Sequence, residues 1–112
     1  MNAPNILLIV ADQERQRDWI PKGFSLPARQ RLMDQGLEFT KYYTHTSPCS
    51  PSRGTLFTGQ YLPVHGVLEN CIMPANGELS TDAQTLGKLF RSKGYYTGYK
   101  GKWHLAPVAF PD

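Results

Sequence analysis

Long apolar runs are missing from this chain of 112 residues, and cysteine and net charge are both scarce. The longest apolar run, Ile6 to Ala11, is far shorter than the roughly 20 residues that cross a membrane. No basic stretch precedes this run, so it is not a signal peptide and favours a buried strand instead. We therefore expect no membrane association, and a cytoplasmic location unless the true start lies upstream.

The few cysteines and the small net charge argue against two further classes of protein, disulfide-rich scaffolds and nucleic-acid-binding proteins. Two cysteines, Cys49 and Cys71, are too few for a disulfide scaffold. One bridge between them stays open, although reduced thiols are the default without an export signal. The net charge is only +3, and the cations are spread along the chain, so we expect no nucleic-acid-binding stripe. A hydrophobic content of 40% is too high for a disordered chain.

Apolar and polar segments alternate in an order typical of an open α/β sheet. The continuous apolar character of Asn5 to Ala11 indicates a strand covered on both faces, as in a parallel sheet. Strands are predicted over residues 5–11, 37–43 and 95–101. Helices are predicted from a cap at Ser25 to Gly36, from an N-cap at Ser50 or Cys49 to Gly59, and from a capping box at Thr81 and Gln84 to Gly94.

Polar residues follow the predicted strands where α/β sheets bind their ligands, beyond the carboxyl ends of the strands. Asp12 follows the first strand, Lys102 and His104 follow the last, and Cys49 lies at a helix N-terminus. Free N–H groups and the helix dipole at such a terminus favour an anion. Taken singly, these residues also fit a turn, a solvated surface or a buried thiol. Together they predict an oxyanion site for a sulfate or phosphate ester.

Three separated segments carry the motifs of one enzyme family. The segment CSPSRGTLFTG, residues 49–59, has the pattern Cys-x-Pro-Ser-Arg followed by a Leu/Thr-Gly element, which resembles the first signature of the sulfatase family. Residues 94–105, GYYTGYKGKWHL, resemble the second signature, and residues 4–12, PNILLIVAD, resemble the first strand with its metal-binding aspartate. The resemblance implies an alkaline-phosphatase-like fold, a three-layer α/β/α sandwich with a mostly parallel sheet. Residues 1–112 would form an incomplete, N-terminal portion of that catalytic domain.

The resemblance also implies a modified nucleophile. A formylglycine-generating enzyme reads Cys-x-Pro-x-Arg, which Cys49, Pro51 and Arg53 satisfy, and would oxidise Cys49 to formylglycine. The aldehyde hydrates to a gem-diol, and one diol oxygen attacks the sulfur of a small-molecule or carbohydrate sulfate ester, so that the alcohol leaves. The second hydroxyl then loses its proton, the aldehyde re-forms and sulfate is expelled. Arg53 is expected to stabilise the formylglycine hydroxylate.

The same resemblance supplies the remaining site residues. Asp12 and Cys49 are the implied ligands of a divalent metal, usually Ca²⁺, with Mn²⁺ or Mg²⁺ as alternatives. Lys102 and His104 are expected to hold the sulfate oxygens and the diol, where charge develops in the transition state. Their spacing on an extended segment puts both side chains on one face, with Trp103 packing on the other.

One departure from the common pattern leaves the substrate open. Many family members have Asp-Asp after the first strand, whereas Asp12-Gln13 resembles the choline-sulfatase and phosphonate monoester hydrolase branch. In that branch an asparagine contacts the substrate oxyanion, and Asn70 matches it by position. Gln13 can also donate a hydrogen bond to the substrate. The Gly101-Lys102-Trp103-His104 element, by contrast, resembles ordinary sulfatases.

Three functions therefore stand as alternatives. The first is a sulfuric ester hydrolase, and the second is a phosphonate or phosphate monoester hydrolase that uses the same formylglycine. The third is a noncatalytic anion-binding fragment with an unmodified Cys49. The resemblance places further metal ligands downstream of Asp112, so residues 1–112 alone are expected to fold marginally, bind metal poorly and show no activity.

Overall fold

A computed structural model describes residues 3–15, 17–72 and 77–106. The helices in these residues are α1 (Pro27–Gln35), α2 (Cys49–Thr58), α3 (Leu62–His65) and α4 (Leu86–Ser92), with a 3₁₀ turn at Arg17–Trp19. The chain divides into two compact units, Met1–Tyr42 and Tyr43–Asp112. Across the described residues, every helix is too short or too polar to cross a membrane.

The first unit contains α1. Pro27 occupies the start of this helix, as its fixed φ and missing N–H favour, and Gly36 follows the end as predicted. The predicted cap at Ser25 is wrong, because Leu26 occupies the N-cap position and no side chain caps the helix. An ion pair between Arg29 and Glu14, at 2.6 Å, ties α1 to the loop before it.

The three predicted strands are not found in the described residues. A parallel strand makes no hydrogen bonds within itself, so it forms only where neighbouring strands pair with it. Segment 5–11 has the apolar pattern of such a strand, yet Leu7 and Ile9 are 84% and 75% exposed. The three-layer sandwich with a parallel sheet is therefore not confirmed by this part of the chain.

The helix α4 begins later than predicted. Thr85 occupies its N-cap, and the Thr85 hydroxyl accepts a hydrogen bond from the Lys88 N–H. The predicted capping box at Thr81 and Gln84 is wrong, because the preceding residues form a turn closed by a hydrogen bond from Ala83 N to Ser80 O at 3.0 Å. That turn uses the backbone that the longer helix would need.

A small apolar core lies in the second unit, next to α2. Its buried residues come from α2 and from the segments that follow it: Phe57, Val67, Cys71, Leu79 and Leu105, with Ala83 and Trp103 packed against them. A hydrogen bond from Leu79 N to Leu105 O at 2.9 Å joins two of these segments. This packing holds the segment before Leu105 against α2.

Candidate active site

Cys49 is the first residue of α2, and the predicted N-cap at Ser50 or Cys49 is wrong because Pro48 occupies that position. Pro51 follows in the first turn, where its missing N–H does no harm, and Gly59 ends the helix with a left-handed φ of 67°. Cys49 is half-buried, whereas Ser50 and Pro51 are fully buried. Cys49 and Cys71 are both free thiols, so the bridge that the sequence left open is not formed.

The first turn of α2 does not offer the anion site that its position predicts. The Ser50 N–H donates to Asn70 Oδ1 at 3.0 Å, so Asn70 caps the helix from outside it. Pro51 has no N–H, and the Ser52 N–H bonds to Pro48 O at 3.2 Å. An oxyanion near Cys49 would therefore need donors other than the main-chain N–H groups of residues 50–52.

Ser50 joins three separate parts of the second unit. Its hydroxyl donates to the main-chain carbonyl of His104 at 2.5 Å and accepts from the Cys71 N–H at 3.1 Å. The sequence predicts Ser50 only as a possible N-cap and not as a site residue. No local pattern could reveal these contacts, because 54 positions of sequence separate Ser50 from His104.

Arg53 binds the segment that carries the second signature. Its Nε donates to the Trp103 carbonyl at 2.9 Å, and its Nη2 donates to the Tyr99 hydroxyl at 2.9 Å and to the Lys102 carbonyl. The Tyr99 hydroxyl in turn donates to the same Lys102 carbonyl. Arg53 is buried, and hydrogen bonds from a charged donor contribute about 1.5–3 kcal/mol each.

Three aromatic rings next to Arg53 pack against one another. Trp103 lies 5.3 Å from Phe57 and 5.5 Å from Tyr99 between ring centroids. The Arg53 Cζ lies 5.8 Å from the centre of the Phe57 ring, within reach of a cation–π interaction. The prediction that Trp103 is a packing residue is confirmed, because its ring packs against the core.

Two side chains of α2 donate hydrogen bonds to three consecutive main-chain carbonyls. The donors are Ser50 and Arg53, and the carbonyls are those of Lys102, Trp103 and His104. We call these five residues the carbonyl clamp. Ser50 and Arg53 are three positions apart, so they share one face of the helix. The clamp holds the turn that begins at Cys49 against the segment that carries the predicted sulfate-binding residues.

The Lys102–His104 segment is not an extended strand. His104 has a φ of 57°, in the left-handed region that residues other than glycine seldom adopt and that often marks functional sites. Strand alternation therefore does not determine where Lys102 and His104 point, and that reason for placing them on one face is wrong. Lys102 is exposed and His104 is half-buried.

Asp12 and Gln13 lie in the first unit, where they form an exposed turn. Gln13 has a left-handed φ of 58°. Cys49, the other predicted metal ligand, belongs to the second unit. Within residues 3–15, 17–72 and 77–106, no three His, Cys, Asp or Glu side chains gather as a metal site would require.

His65 is a buried residue that packs on α2. Its Nδ1 accepts from the Val67 N–H at 3.2 Å, which leaves the proton on Nε2, 3.1 Å from the Thr55 hydroxyl. Burial lowers the pKa of His65, and the nearby His45 lowers it further. We therefore expect a neutral imidazole with a packing role.

We predict that Gly54→Ala destabilises the protein. The added Cβ would lie 2.8 Å from Cε1 and 2.9 Å from Nδ1 of His65, and two hydrogen bonds hold that ring in place. The overlap should lower the free energy of unfolding by about 1–3 kcal/mol, despite the better helix propensity of alanine. Denaturant unfolding of the variant and of wild type measures this free energy. The control is Gly98→Ala, since a Cβ at position 98 meets no atom within 4 Å. Equal losses in the two variants would contradict the prediction.

Comparison with known proteins matches the sequence of this chain to one family. The family model described as Sulfatase matches residues 4–109. The chain is 41% identical over 107 residues to arylsulfatase A of Bos taurus and 38% identical over 107 residues to that of Homo sapiens, covering 91% of this chain and 21% of each relative. It is 32% identical over 108 residues to the uncharacterized sulfatase YidJ of Escherichia coli, covering 94% of this chain and 21% of that protein. The chain thus spans about a fifth of the length of these relatives. No solved structure matches it.

Proposed function

This chain belongs to the sulfatase family, and from that premise we propose that it forms the nucleophile-bearing part of a sulfuric ester hydrolase. The observation that supports the proposal is the carbonyl clamp, which joins the turn at Cys49 to the Lys102–His104 segment. Both family signatures thereby meet at one place in the second unit. We propose a small-molecule or carbohydrate sulfate ester as the substrate.

We propose that Cys49 acts after conversion to formylglycine by a formylglycine-generating enzyme. The hydrated aldehyde supplies a nucleophilic oxygen together with a second hydroxyl for the release of sulfate. The half-buried Cys49 begins a turn whose next two residues, Ser50 and Pro51, are fully buried, so its position is set by packing. An unmodified thiol would lack the second hydroxyl.

Charged and polar side chains of the predicted site would bind the sulfate oxygens. We propose that Lys102 and His104 supply positive charge and hydrogen-bond donors, where charge develops in the transition state. The Asn70 amide oxygen accepts from the Ser50 N–H, and we propose that the amide Nδ2, the donor of this side chain, binds the oxyanion. Gln13 would be a further donor to the substrate.

Sulfatases as a family use a divalent metal. Asp12 and the modified Cys49 would each give one hard oxygen ligand, which suits Ca²⁺, with Mn²⁺ or Mg²⁺ as alternatives. No group of three His, Cys, Asp or Glu side chains is found in the part of the chain that the structure describes, so further ligands would have to come from other residues.

A second candidate function uses the same modified residue. Gln13, which replaces the second aspartate of the common pattern, lowers the negative charge after Asp12 by one unit. Both this residue and Asn70, which caps the N-terminus of α2, resemble the choline-sulfatase and phosphonate monoester hydrolase branch, so we propose a phosphonate or phosphate monoester as the alternative substrate.

Paired assays with the complete enzyme would test both candidates. We expect hydrolysis of p-nitrophenyl sulfate, and a Cys49 peptide that has lost one sulfur and two hydrogens and gained one oxygen by mass spectrometry. Activity on a phenyl phosphonate alone would favour the second candidate. An unshifted Cys49 peptide from the native host, with neither activity, would favour a noncatalytic anion-binding role.

A further inference from the structure

Ser50 is bonded to the proposed nucleophile and touches two proposed substrate-binding residues. Its main-chain N–H donates to Asn70 Oδ1, and its hydroxyl donates to the His104 carbonyl. The hydroxyl also accepts from the Cys71 N–H at 3.1 Å. Ser50 is completely buried, with 0% exposure, so it cannot itself touch a substrate.

The bond to His104 falls on a backbone that needs support. With a φ of 57°, His104 adopts a conformation that is unfavourable for a residue with a Cβ. The direction of its carbonyl depends on the local backbone dihedrals, so a donor fixed at that carbonyl favours this conformation. Arg53 donates hydrogen bonds to the carbonyls of Lys102 and Trp103, whereas Ser50 donates to the carbonyl of His104.

We infer that Ser50 is a positioning residue, whose buried hydroxyl holds the His104 main chain and thereby fixes the imidazole relative to Cys49. This inference rests on the proposed sulfuric ester hydrolysis. Ser50 acts through His104, which would bind the sulfate where charge grows in the transition state. Loss of the Ser50 hydroxyl should therefore lower kcat more than it raises KM.

The test is a double-mutant cycle in the complete enzyme, assayed with p-nitrophenyl sulfate and corrected for the formylglycine fraction by mass spectrometry. We expect Ser50→Ala to lower kcat by about 10- to 100-fold, as small misplacements of catalytic groups do, with KM changed by less than about threefold. In a His104→Ala background, Ser50→Ala should lower kcat by less than about threefold, because the two residues act as one unit. If Ser50 had only a structural role, Ser50→Ala would lower kcat by the same factor in the wild-type and His104→Ala enzymes.

Ser92→Ala is the matched control. The Ser92 hydroxyl also donates to a main-chain carbonyl, that of Leu89 at 2.8 Å, but on the exposed surface of α4. We expect this variant to keep the wild-type kcat. If Ser50→Ala does not fold, Ser50→Thr decides the matter, since its retained hydroxyl should keep kcat within about threefold of wild type.

Four outcomes would overturn the inference. Unchanged kcat in Ser50→Ala contradicts it, as does an equal loss with and without His104. Failure of both Ser50 variants to fold would assign the hydroxyl to stability and not to positioning. A wild-type enzyme that is modified at Cys49 but does not hydrolyse the sulfate ester overturns the proposed function and this inference together, whereas the first three outcomes leave the proposed function intact.

Discussion

Replacing Cys49 by alanine or by serine is expected to abolish sulfate ester hydrolysis by the complete enzyme, a loss on the order of 10⁵-fold or more. Alanine removes the proposed nucleophile. Serine keeps an oxygen that could attack sulfur, but it lacks the second hydroxyl that would release sulfate. The two variants should therefore be equally inactive in steady-state assays with p-nitrophenyl sulfate.

The second cysteine provides the control for this prediction. Cys71 is 4% exposed, and its thiol donates to the Gly77 carbonyl at 3.0 Å. Cys71→Ser keeps a donor of similar size, so we expect formylglycine at Cys49 and turnover within about threefold of wild type per folded enzyme. Turnover by Cys49→Ala above the uncatalysed rate would contradict the proposed role of Cys49.

The sequence predicts α2 well because the signals for this helix are local. Pro51 fits only the first turn, and Gly59 supplies the left-handed residue that ends the helix. The same reasoning misplaces the start of α4, because Thr81 and Thr85 both precede apolar positions and only the turn at Ser80–Ala83 distinguishes them. Local pattern therefore identifies helices better than it identifies their first residues.

The carbonyl clamp could not be predicted, although both of its halves lie in recognisable signatures. Arg53 and Ser50 bind main-chain carbonyls 49 to 54 positions away, and any residue type supplies a carbonyl. The predicted sheet is not confirmed in the described residues for a related reason, since segment 5–11 has the composition of a strand but needs pairing partners. Contacts between distant segments decide both features, and composition does not encode them.

Arg53 is expected to be a stabilising residue of the second unit as well as part of the modification motif. Arg53→Ala would remove the donors to the carbonyls of Lys102 and Trp103 and to the Tyr99 hydroxyl. Because these groups meet a buried guanidinium, we expect the free energy of unfolding to fall by about 2–4 kcal/mol. The folded fraction should also lose activity by about 10³-fold, since the Lys102–His104 segment is no longer held.

The free energy of unfolding distinguishes the stabilising role of Arg53 from the two roles that the family resemblance implies. Recognition by a formylglycine-generating enzyme, or stabilisation of a formylglycine hydroxylate, would leave the unfolding of the unmodified protein unchanged. Denaturant unfolding of protein made without the modifying enzyme therefore reports on the clamp alone. Arg91→Ala is the matched control, because Arg91 Nε makes an exposed hydrogen bond to Thr97 Oγ1 at 3.3 Å. Its effect should stay within about 0.5 kcal/mol.

Arg53→Lys sharpens the prediction, because it keeps the charge and changes only the geometry of the donors. The guanidinium uses Nε and Nη2 to reach two successive carbonyls, whereas a single ammonium group has no rigid fork and cannot match both directions. We therefore expect lysine to recover less than about half of the stability that alanine loses. An Arg53→Lys variant with the wild-type free energy of unfolding would contradict this prediction. Positive charge alone would then be sufficient to hold the Lys102–His104 segment to α2, without the fork geometry of the guanidinium.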